Sequence, residues 1–375
     1  METQKTVTEE RGCPVVMTLD AGGTNLVFSA IRGGEEIVAP VVCPTVADDL
    51  EACLQRIASG FEQVRRLLSE PPVAISFAFP GPADYRAGVI GDLPNFPAFR
   101  GGVALGPFLE HRFGIPVFIN NDGNLFAYGE ALSGVLPAVN ARLAAAGNPQ
   151  RYRNLIGVTL GTGFGGGIVT DRELQCGDNQ VGGYLWCLPN KLYPGMIAEE
   201  SVSIRGVRRV YARLSGDTST LTPKEIYEIA EGVRPGNREA AAAAFAELGE
   251  VAGYAISLAV TLVDGLVVIG GGLAGASKYI LPSLMKELRS ETGLLDGSRF
   301  DRLPVRPYNL EDPEELAAFL APATCRVAVP GSDVQVDYRM CRRVGIALSK
   351  RGASRSIALG AYWFAVHELE KREHK

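Results

Sequence analysis

The chain has few of the residues that would suggest a metal centre, a disulfide scaffold or a nucleic-acid surface. Its three histidines, His111, His367 and His374, are isolated in the sequence and are given no role. The seven cysteines form no Cys-x-x-Cys pair, which is typical of reduced cytosolic thiols rather than of a disulfide framework. The net charge of −5 lacks the basic excess of nucleic-acid-binding proteins. We therefore expect a cytoplasmic protein with no nucleic-acid partner.

Long apolar runs are also missing. The most apolar region, residues 254–269, is interrupted by Asp264 and Gly265, so it predicts a buried core segment rather than a membrane span. The polar, charged residues 1–12 are unlike a signal peptide. A length of 375 residues with 46% hydrophobic residues instead predicts about two domains, a substantial core and no membrane partner.

The most informative motif is Asp20-Ala21-Gly22-Gly23-Thr24-Asn25, which lies between the apolar runs 15–19 and 26–31. This pattern predicts a strand, a glycine turn and a second strand. Because two glycines leave the turn without side chains, its N–H groups can approach an anion closely. The carboxylate of Asp20 would repel that anion unless a cation lay between them. A metal-bound polyphosphate satisfies all these groups, and the alternative is an ordinary hairpin turn.

The same pattern returns at residues 158–169, around Gly161-Thr162-Gly163, and a third glycine turn, Gly270-Gly271-Gly272, follows an apolar run. Two similar turns in two halves of the chain predict duplicated domains that face each other across a cleft. Gly161, Gly163 and Gly166 also match the dinucleotide fingerprint G-x-G-x-x-G. That fingerprint needs a helix after it, whereas residues 167–170 predict a strand. An NAD(P)-dependent oxidoreductase is therefore a weak alternative.

Helical and strand-like segments alternate along the chain, which predicts an α/β fold with sites at the carboxyl ends of strands. In the first half, Asp48 is the predicted N-cap of a helix at 48–68, and a second helix is predicted at 107–113. Strands are predicted at 73–79 and 115–119, a long loop at 83–102 and a helix at 124–132. In the second half the predicted elements are a helix starting at Thr222-Pro223, a helix at 238–263, a strand at 266–269, an excursion at 301–340 with strands at 325–329 and 334–338, and a closing helix at 356–371.

In this order and spacing, the motifs resemble the ROK family of sugar kinases within the actin/hexokinase/Hsp70 ATPase superfamily. The resemblance runs from about residue 15 to residue 370. The resemblance implies a two-lobed actin-like ATPase (ribonuclease H-like) fold with the active site in the interdomain cleft. It also implies that the protein forms a homo-oligomer, namely a dimer. The expected lobes are residues 1–127 with 355–375, and residues 128–354. The segments that carry the resemblance are Asp20–Asn25, Pro80-Gly81-Pro82, Asn120-Asn121-Asp122, Gly161–Gly167 and Gly270–Gly272.

The resemblance implies ATP-dependent phosphorylation of a hexose or hexose derivative, with Asp122 as the base that accepts the sugar hydroxyl proton. Alone, Asp122 could equally be a helix N-cap. Asp20, which would hold Mg²⁺ indirectly, would act with Gly22, Gly23, Thr24 and Asn25 on the phosphates of ATP. Gly161, Thr162 and Gly163 would clamp the phosphates from the other lobe, and Gly270, Gly271 and Gly272 would approach the adenosine. The sugar would meet Gly81, Asn95, Asn121 and Glu199.

Two departures from the family pattern affect the expected sugar site. Tyr184 and Cys187 stand where the family has the glutamate and histidine of its Glu-x-Gly-His sequence, and residues 188–198 lack the cysteines of its zinc loop. We therefore expect no structural zinc and a sugar specificity unlike that of a typical glucose kinase. The altered pocket also keeps a non-catalytic sugar or nucleotide sensor as an alternative. The dozen residues before the first strand are too few for a helix-turn-helix, as in ROK repressors.

Overall fold

The computed structural model describes residues 12–21, 25–46, 48–91, 97–339 and 341–373, which form two compact units. Unit 1 contains the described residues up to Ser133, together with Gly177–Gln180 and the C-terminal segment from Ser354. Unit 2 contains Gly134–Cys176 and Val181–Ala353. Each unit is built on a six-stranded sheet with helices, so both are of mixed α/β type.

The elements of unit 1 are β1 Val15–Ala21, β2 Asn25–Arg32, β3 Glu35–Glu36, β4 Val41–Pro44, α1 Leu50–Leu67, β5 Ala74–Ala78, β6 Ala83–Asp84, β7 Val89–Ile90, a 3₁₀ turn Pro97–Phe99, α2 Leu105–Phe113, β8 Val117–Asn120 and α3 Asp122–Leu132. Its sheet has the strand order β3-β2-β1-β5-β8, with β4 paired to β2. Strands β1, β5 and β8 are parallel, whereas β1 and β2 form an antiparallel pair. The two strands predicted on either side of the first glycine motif are thus confirmed.

Helix α1 packs on this sheet through an aromatic cluster. The Phe61 ring lies edge-on to Phe28 at 5.1 Å and to Phe113 at 6.1 Å, and all three side chains are buried. The N-cap of α1 is Asp49, whose Oδ1 accepts a hydrogen bond from the Ala52 N–H at 3.0 Å, so the predicted cap at Asp48 was wrong by one residue. The predicted loop at 83–102 also contains the short β6–β7 pair.

The C-terminal helix Ala353–Glu373 belongs to unit 1 and crosses α3 at very short range. A Cβ atom on Gly129 would lie 1.9 Å from the Ser356 carbonyl oxygen, and one on Gly360 would lie 1.8 Å from the Leu125 carbonyl oxygen. Because glycine alone lets the two backbones meet, this crossing depends on both residues. The buried Glu130 accepts a hydrogen bond from Ser356 Oγ at 2.6 Å beside it.

The helices and strands of unit 2, in chain order, are α4 Val135–Ala145, β9 Leu155–Leu160, β10 Phe164–Thr170, β11 Glu173–Leu174, α5 Ile204–Ser215, α6 Pro223–Ala230, α7 Arg238–Val263, β12 Leu266–Gly270, α8 Ser277–Leu288, β13 Glu291–Gly293, β14 Arg299–Asp301, β15 Arg306–Asn309, α9 Pro313–Leu320, β16 Thr324–Ala328, β17 Gln335–Arg339 and β18 Arg343–Leu348. Its sheet has the strand order β11-β10-β9-β12-β18-β15, in which β9, β12, β18 and β15 are parallel.

Several predicted elements of unit 2 are confirmed. The long helix spans Arg238–Val263 as expected, and α6 starts with Pro223 after a capping box between Thr222 and Glu225. The two strands of the predicted excursion pair as β16 and β17. Helix α7 is long and apolar enough to cross a membrane by length and composition alone, but 56% of its most apolar window is buried inside the protein. It is the central core helix of unit 2, as the sequence predicts.

The two sheets share one topology. In both, the first strand pairs with its antiparallel neighbour on one side, and two later parallel strands follow on the other. The strands that both sheets share are β3-β2-β1-β5-β8 in unit 1 and β11-β10-β9-β12-β18 in unit 2. When these strands are numbered in chain order within each unit, both sheets have the order 3-2-1-4-5. The weak internal repeat of the sequence therefore corresponds to a duplicated fold.

Candidate active site

Unit 1 places Asp20 and the predicted base, Asp122, at one edge of its sheet. Asp20 is half-buried at the carboxyl end of β1, and Asn25 is exposed at the start of β2. Gly22, Gly23 and Thr24 lie outside the described residues. Because β1, β5 and β8 are parallel and in register, the segments after Ala21, Ala78 and Asn120 all emerge at this same edge. Asp20, Gly81, Asn121 and Asp122 therefore share it, while Asn95 lies outside the described residues.

The β8–α3 junction positions Asp122. Asn121 is the N-cap of α3, and its Oδ1 accepts a hydrogen bond from the Gly123 N–H at 2.9 Å. The alternative role of Asp122 as the N-cap is therefore wrong. The buried Asn120 braces the junction, because its Oδ1 accepts hydrogen bonds from Asn121 N–H and from Asn124 Nδ2, at 2.8 and 3.0 Å. Asp122 is left as the first residue of the helix, with its side chain reaching solvent.

The electrostatic setting of Asp122 favours a carboxyl group that takes up a proton. Asp122 is exposed, yet protein atoms crowd around its carboxyl group, and the partial loss of hydration raises the pKa of this carboxyl above its ordinary value of 3.8. The hydrogen bond from the Gly123 N–H, at 2.8 Å, acts in the opposite direction and lowers the pKa. A carboxylate with a raised pKa at a strand end has the properties of a general base.

Unit 2 brings its two glycine turns together at one edge of its sheet. The first turn closes between β9 and β10 through a hydrogen bond from Gly161 N–H to the Gly163 carbonyl at 3.0 Å. Strand β12 runs parallel to β9, with Gly270 opposite Thr159, so Gly271 and Gly272 emerge beside that turn. Gly271 has a φ of +91°, and a Cβ atom there would lie 2.3 Å from the Leu160 carbonyl oxygen. Thr162 is exposed at the turn.

Glu199 lies against the first of these turns. Its Oε2 accepts a hydrogen bond from the Phe164 N–H at 3.0 Å, and the other carboxylate oxygen lies 3.9 Å from an Arg205 nitrogen. Ser203, which the sequence did not single out, is the N-cap of α5 and donates its hydroxyl to the Glu199 carbonyl at 2.7 Å. The signal available in the sequence was a serine directly before a helical pattern.

The two departures from the family pattern lie in the segment that packs on β10. A Cβ atom on Gly166 would lie 2.5 Å from the Gly183 carbonyl oxygen, so the chain passes very close to the strand here. Tyr184 is half-buried with its ring 6.0 Å from that of Trp186. The exposed Cys187 donates its thiol to the Tyr184 carbonyl at 3.0 Å.

Metal and cavity geometry add two further observations. Among the residues that the structure describes, no group of three or more histidine, cysteine or acidic side chains is placed to hold a metal ion. Asp20 stays the carboxylate predicted to hold Mg²⁺ indirectly, since Mg²⁺ usually keeps several of its waters and binds substrate phosphates. A cavity of about 920 Å³ in unit 2 lies away from the glycine turns, beside Tyr152, Asp264 and Arg343 at the opposite ends of the strands.

Comparison with known proteins places the chain in a family. The model of the ROK family matches residues 16–293. The chain belongs to the ROK family. A crystal structure of a glucokinase from Parabacteroides distasonis is 62% identical and covers 95% of this chain and 98% of its own, with a TM-score of 0.87. The predicted family and the actin-like ATPase fold are therefore confirmed.

Two curated relatives match over part of their length. A glucokinase from Thermotoga maritima is 32% identical over 168 residues, which are 44% of this chain and 48% of the relative. An N-acetyl-D-glucosamine kinase from Photobacterium profundum is 32% identical over 166 residues, which are 44% of this chain and 50% of the relative. The matches thus span about half the length of these relatives.

The predicted strand after Gly167 is confirmed as part of β10, so the helix required by a dinucleotide fingerprint is absent at that position.

Proposed function

We propose that this ROK protein is an ATP-dependent sugar kinase that phosphorylates a hexose or hexose derivative. The observation that carries this proposal is the placement of Asp122, a solvent-reaching carboxyl group with a raised pKa that the helix cap leaves unused. A sugar hydroxyl attacks the γ-phosphorus of ATP and gives its proton to Asp122, while the bond from that phosphorus to the ADP oxygen breaks. Positioning and charge neutralisation are the main requirements of phosphoryl transfer.

The glycine turns are the proposed nucleotide site. Gly161, Thr162 and Gly163 offer backbone N–H groups to the phosphates, as do Gly22, Gly23, Thr24 and Asn25. The carboxylate of Asp20, at the carboxyl end of β1, takes part in holding the Mg²⁺ that neutralises phosphate charge. Gly270, Gly271 and Gly272 make room for the adenosine. Glycine suits these positions because phosphate and base can approach a backbone that carries no side chains.

The proposed sugar site combines Gly81, Asn95, Asn121 and Glu199 with Tyr184 and Cys187. The Glu199 carboxylate can accept hydrogen bonds from two neighbouring hydroxyls, although one oxygen already accepts from the Phe164 N–H. Glucose is one candidate substrate, because the 62% identical relative is named a glucokinase, whereas Tyr184 and Cys187 favour a different hexose. An N-acetylated hexosamine is the second, from the name of the Photobacterium relative. A cytoplasmic homodimer stays a prediction, as do the lobe boundaries at 127/128 and 354/355.

The test is coupled ADP release with ATP and Mg²⁺ over a panel of glucose, mannose, fructose, allose and N-acetylated hexosamines. We expect turnover with at least one sugar, and a loss of that turnover in Asp122→Asn, which controls for contaminating kinases. The proposal would be overturned if the protein phosphorylated none of the sugars in the panel. Calorimetric binding of a sugar or of ATP without turnover would then identify a sensor on the same fold, the function that the Tyr184 and Cys187 departures favour.

A further inference from the structure

The segment that carries Glu199 has little regular structure of its own. Between Leu188 and Ser203 the described backbone forms a single isolated β-bridge and the 3₁₀ turn Ala198–Glu200. Such a segment needs side-chain contacts to hold it in one conformation, since each residue fixed in one conformation costs about 1–2 kcal/mol of backbone entropy. The contacts that fix this segment therefore decide where the Glu199 carboxylate lies.

Asn190 organises the first half of the segment. The side chain is buried, at 4% exposure, and makes four hydrogen bonds. Its Oδ1 accepts from the N–H groups of Leu192 and Tyr193, at 2.9 and 3.2 Å. Its Nδ2 donates to the Ile197 carbonyl at 3.2 Å and to Ser201 Oγ at 3.0 Å. An amide side chain has two donors and two acceptor sites, so the bonding capacity of Asn190 is fully used across both arms of the segment.

Glu247 of helix α7 ties this arrangement to the core of unit 2. Its side chain is 11% exposed. Oε1 accepts hydrogen bonds from Tyr193 Oη at 3.0 Å and from Ser201 Oγ at 3.4 Å, while Oε2 pairs with Arg213 at 2.8 Å. Asn190, Ser201 and Glu247 thus form a continuous hydrogen-bonded relay from the segment to a buried helix.

The relay ends two residues from the predicted sugar-binding carboxylate. After Ser201, the Ser203 hydroxyl holds the Glu199 carbonyl, and Glu199 Oε2 accepts from the Phe164 N–H. Glu200 pairs with Arg205 and Arg209, at 2.6 and 3.2 Å. The same two arginines lie 3.9 Å from Glu199 Oε1 and from Glu247 Oε1, respectively. The backbone on both sides of Glu199 is therefore held in place.

We infer that Asn190 and Glu247 are positioning residues that set the location of the Glu199 carboxylate for sugar binding. This inference rests on the proposed function, in which Glu199 binds the sugar. Burying a charged group such as Glu247 costs desolvation energy and is weak evidence for a purely stabilising role. A displacement of about 1 Å at a substrate-positioning group can cost about 100-fold in rate, which gives such a relay a large effect on function.

The first experiment measures amide hydrogen exchange of Phe164, whose N–H reports directly on Glu199. The variants are Asn190→Ala, Glu247→Gln and the milder Ser201→Ala, which stays informative if Asn190→Ala does not fold. The matched control is Glu239→Gln, because Glu239 lies exposed in the first turn of the same helix, about two turns before Glu247. We expect faster exchange of Phe164 in the relay variants and wild-type exchange in the control.

The second experiment separates positioning from a general loss of folded protein. The relay variants are expected to raise the KM for the sugar about 10-fold or more, with the KM for ATP unchanged. In a Glu199→Gln background the same changes should have no further effect on the sugar KM. Wild-type Phe164 exchange and an unchanged sugar KM in folded relay variants would overturn the inference. If the wild-type protein phosphorylates no sugar, the proposed function fails, and Phe164 exchange still decides the positioning role.

Discussion

The Glu199 carboxylate occupies the space that a side chain on Gly163 would need. A Cβ atom on Gly163 would lie 2.5 Å from Glu199 Oε2, closer than such atoms approach in proteins. The turn that is proposed to bind phosphate and the carboxylate that is proposed to bind sugar are therefore in direct contact within unit 2. This contact explains why a residue without a side chain stands at position 163.

Gly163→Ala tests this contact. The added methyl group must displace the Glu199 carboxylate, so we expect kcat/KM for the sugar to fall about 10-fold or more. The backbone at Gly163 does not require a positive φ, so the fold should survive. Steady-state kinetics measure the effect, and Gly293→Ala is the control because the nearest atom to its added Cβ is 3.8 Å away. Wild-type kinetics in Gly163→Ala would show that Glu199 does not contact the sugar.

Asp122→Asn tests the proposed base. Removing a general base typically lowers the rate about 10²–10⁴-fold, so we expect that loss in kcat with much of the sugar affinity retained. Since Asn121 caps the helix, the melting temperature should change little. Activity close to wild type would remove Asp122 from the mechanism.

The raised pKa of Asp122 has consequences for pH dependence. The base must be ionised to accept a proton, so the acid limb of kcat/KM should lie above the ordinary aspartate value of 3.8. Between that value and the raised pKa the folded state binds more protons than the unfolded chain. The contribution of Asp122 to stability therefore falls as pH rises through this window. Chemical unfolding of wild type and Asp122→Asn from pH 4 upward, read as a difference in stability, should show this loss in the wild type alone.

The crossing of α3 with the C-terminal helix should be sensitive to one methyl group. Gly129→Ala places a Cβ atom 1.9 Å from the Ser356 carbonyl oxygen, where neither backbone can yield without moving a helix. We expect destabilisation of about 1–3 kcal/mol or more, as for overpacked cores. Gly275→Ala, which meets no atom within 4 Å, serves as the control in the same thermal or urea unfolding series. Equal stability of the two variants would contradict the tight crossing.

The absence of the family's cysteine loop predicts a protein without structural zinc. Protein purified without added metal should contain far less than one zinc per chain by elemental analysis. Chelator treatment should leave the unfolding midpoint unchanged, because structural zinc, where present, contributes directly to folding. Stoichiometric zinc that resists dialysis would overturn this prediction.

Tyr184 is the predicted source of altered sugar specificity. Tyrosine offers one hydroxyl and an apolar ring where a glutamate would hold two hydroxyls, and such contacts can separate sugar analogues by about 10⁴-fold. We expect weak glucose binding, or a preference for another hexose, and a shift toward glucose in Tyr184→Glu. The measurement is kcat/KM for glucose against mannose, fructose, allose and N-acetylated hexosamines. A micromolar KM for glucose and preference for it over all the others would place Tyr184 outside the sugar site.

Local chemistry made much of the fold predictable. Three predicted features depend on glycine, cap and apolar patterns within a few residues, and each was found where expected: the paired strands of the two glycine motifs, the helix cap at Thr222 and the helix Arg238–Val263. The family followed from the order of short motifs. Boundaries were less accurate: the cap of α1 moved from Asp48 to Asp49, and that of α3 lies on Asn121.

The contacts that give the candidate site its shape were decided by tertiary structure. Gly163 and Glu199 are in contact although they are 36 positions apart in the sequence. The relay likewise joins Asn190 to Glu247, which lies on helix α7 much further along the chain. No local pattern encodes such pairs, because they depend on how β10, the segment before α5 and helix α7 pack together. The sequence by itself determined which residues could do the chemistry. The packing of unit 2 decided that Glu199 would lie on the glycine turn, since only there can its carboxylate accept the Phe164 N–H.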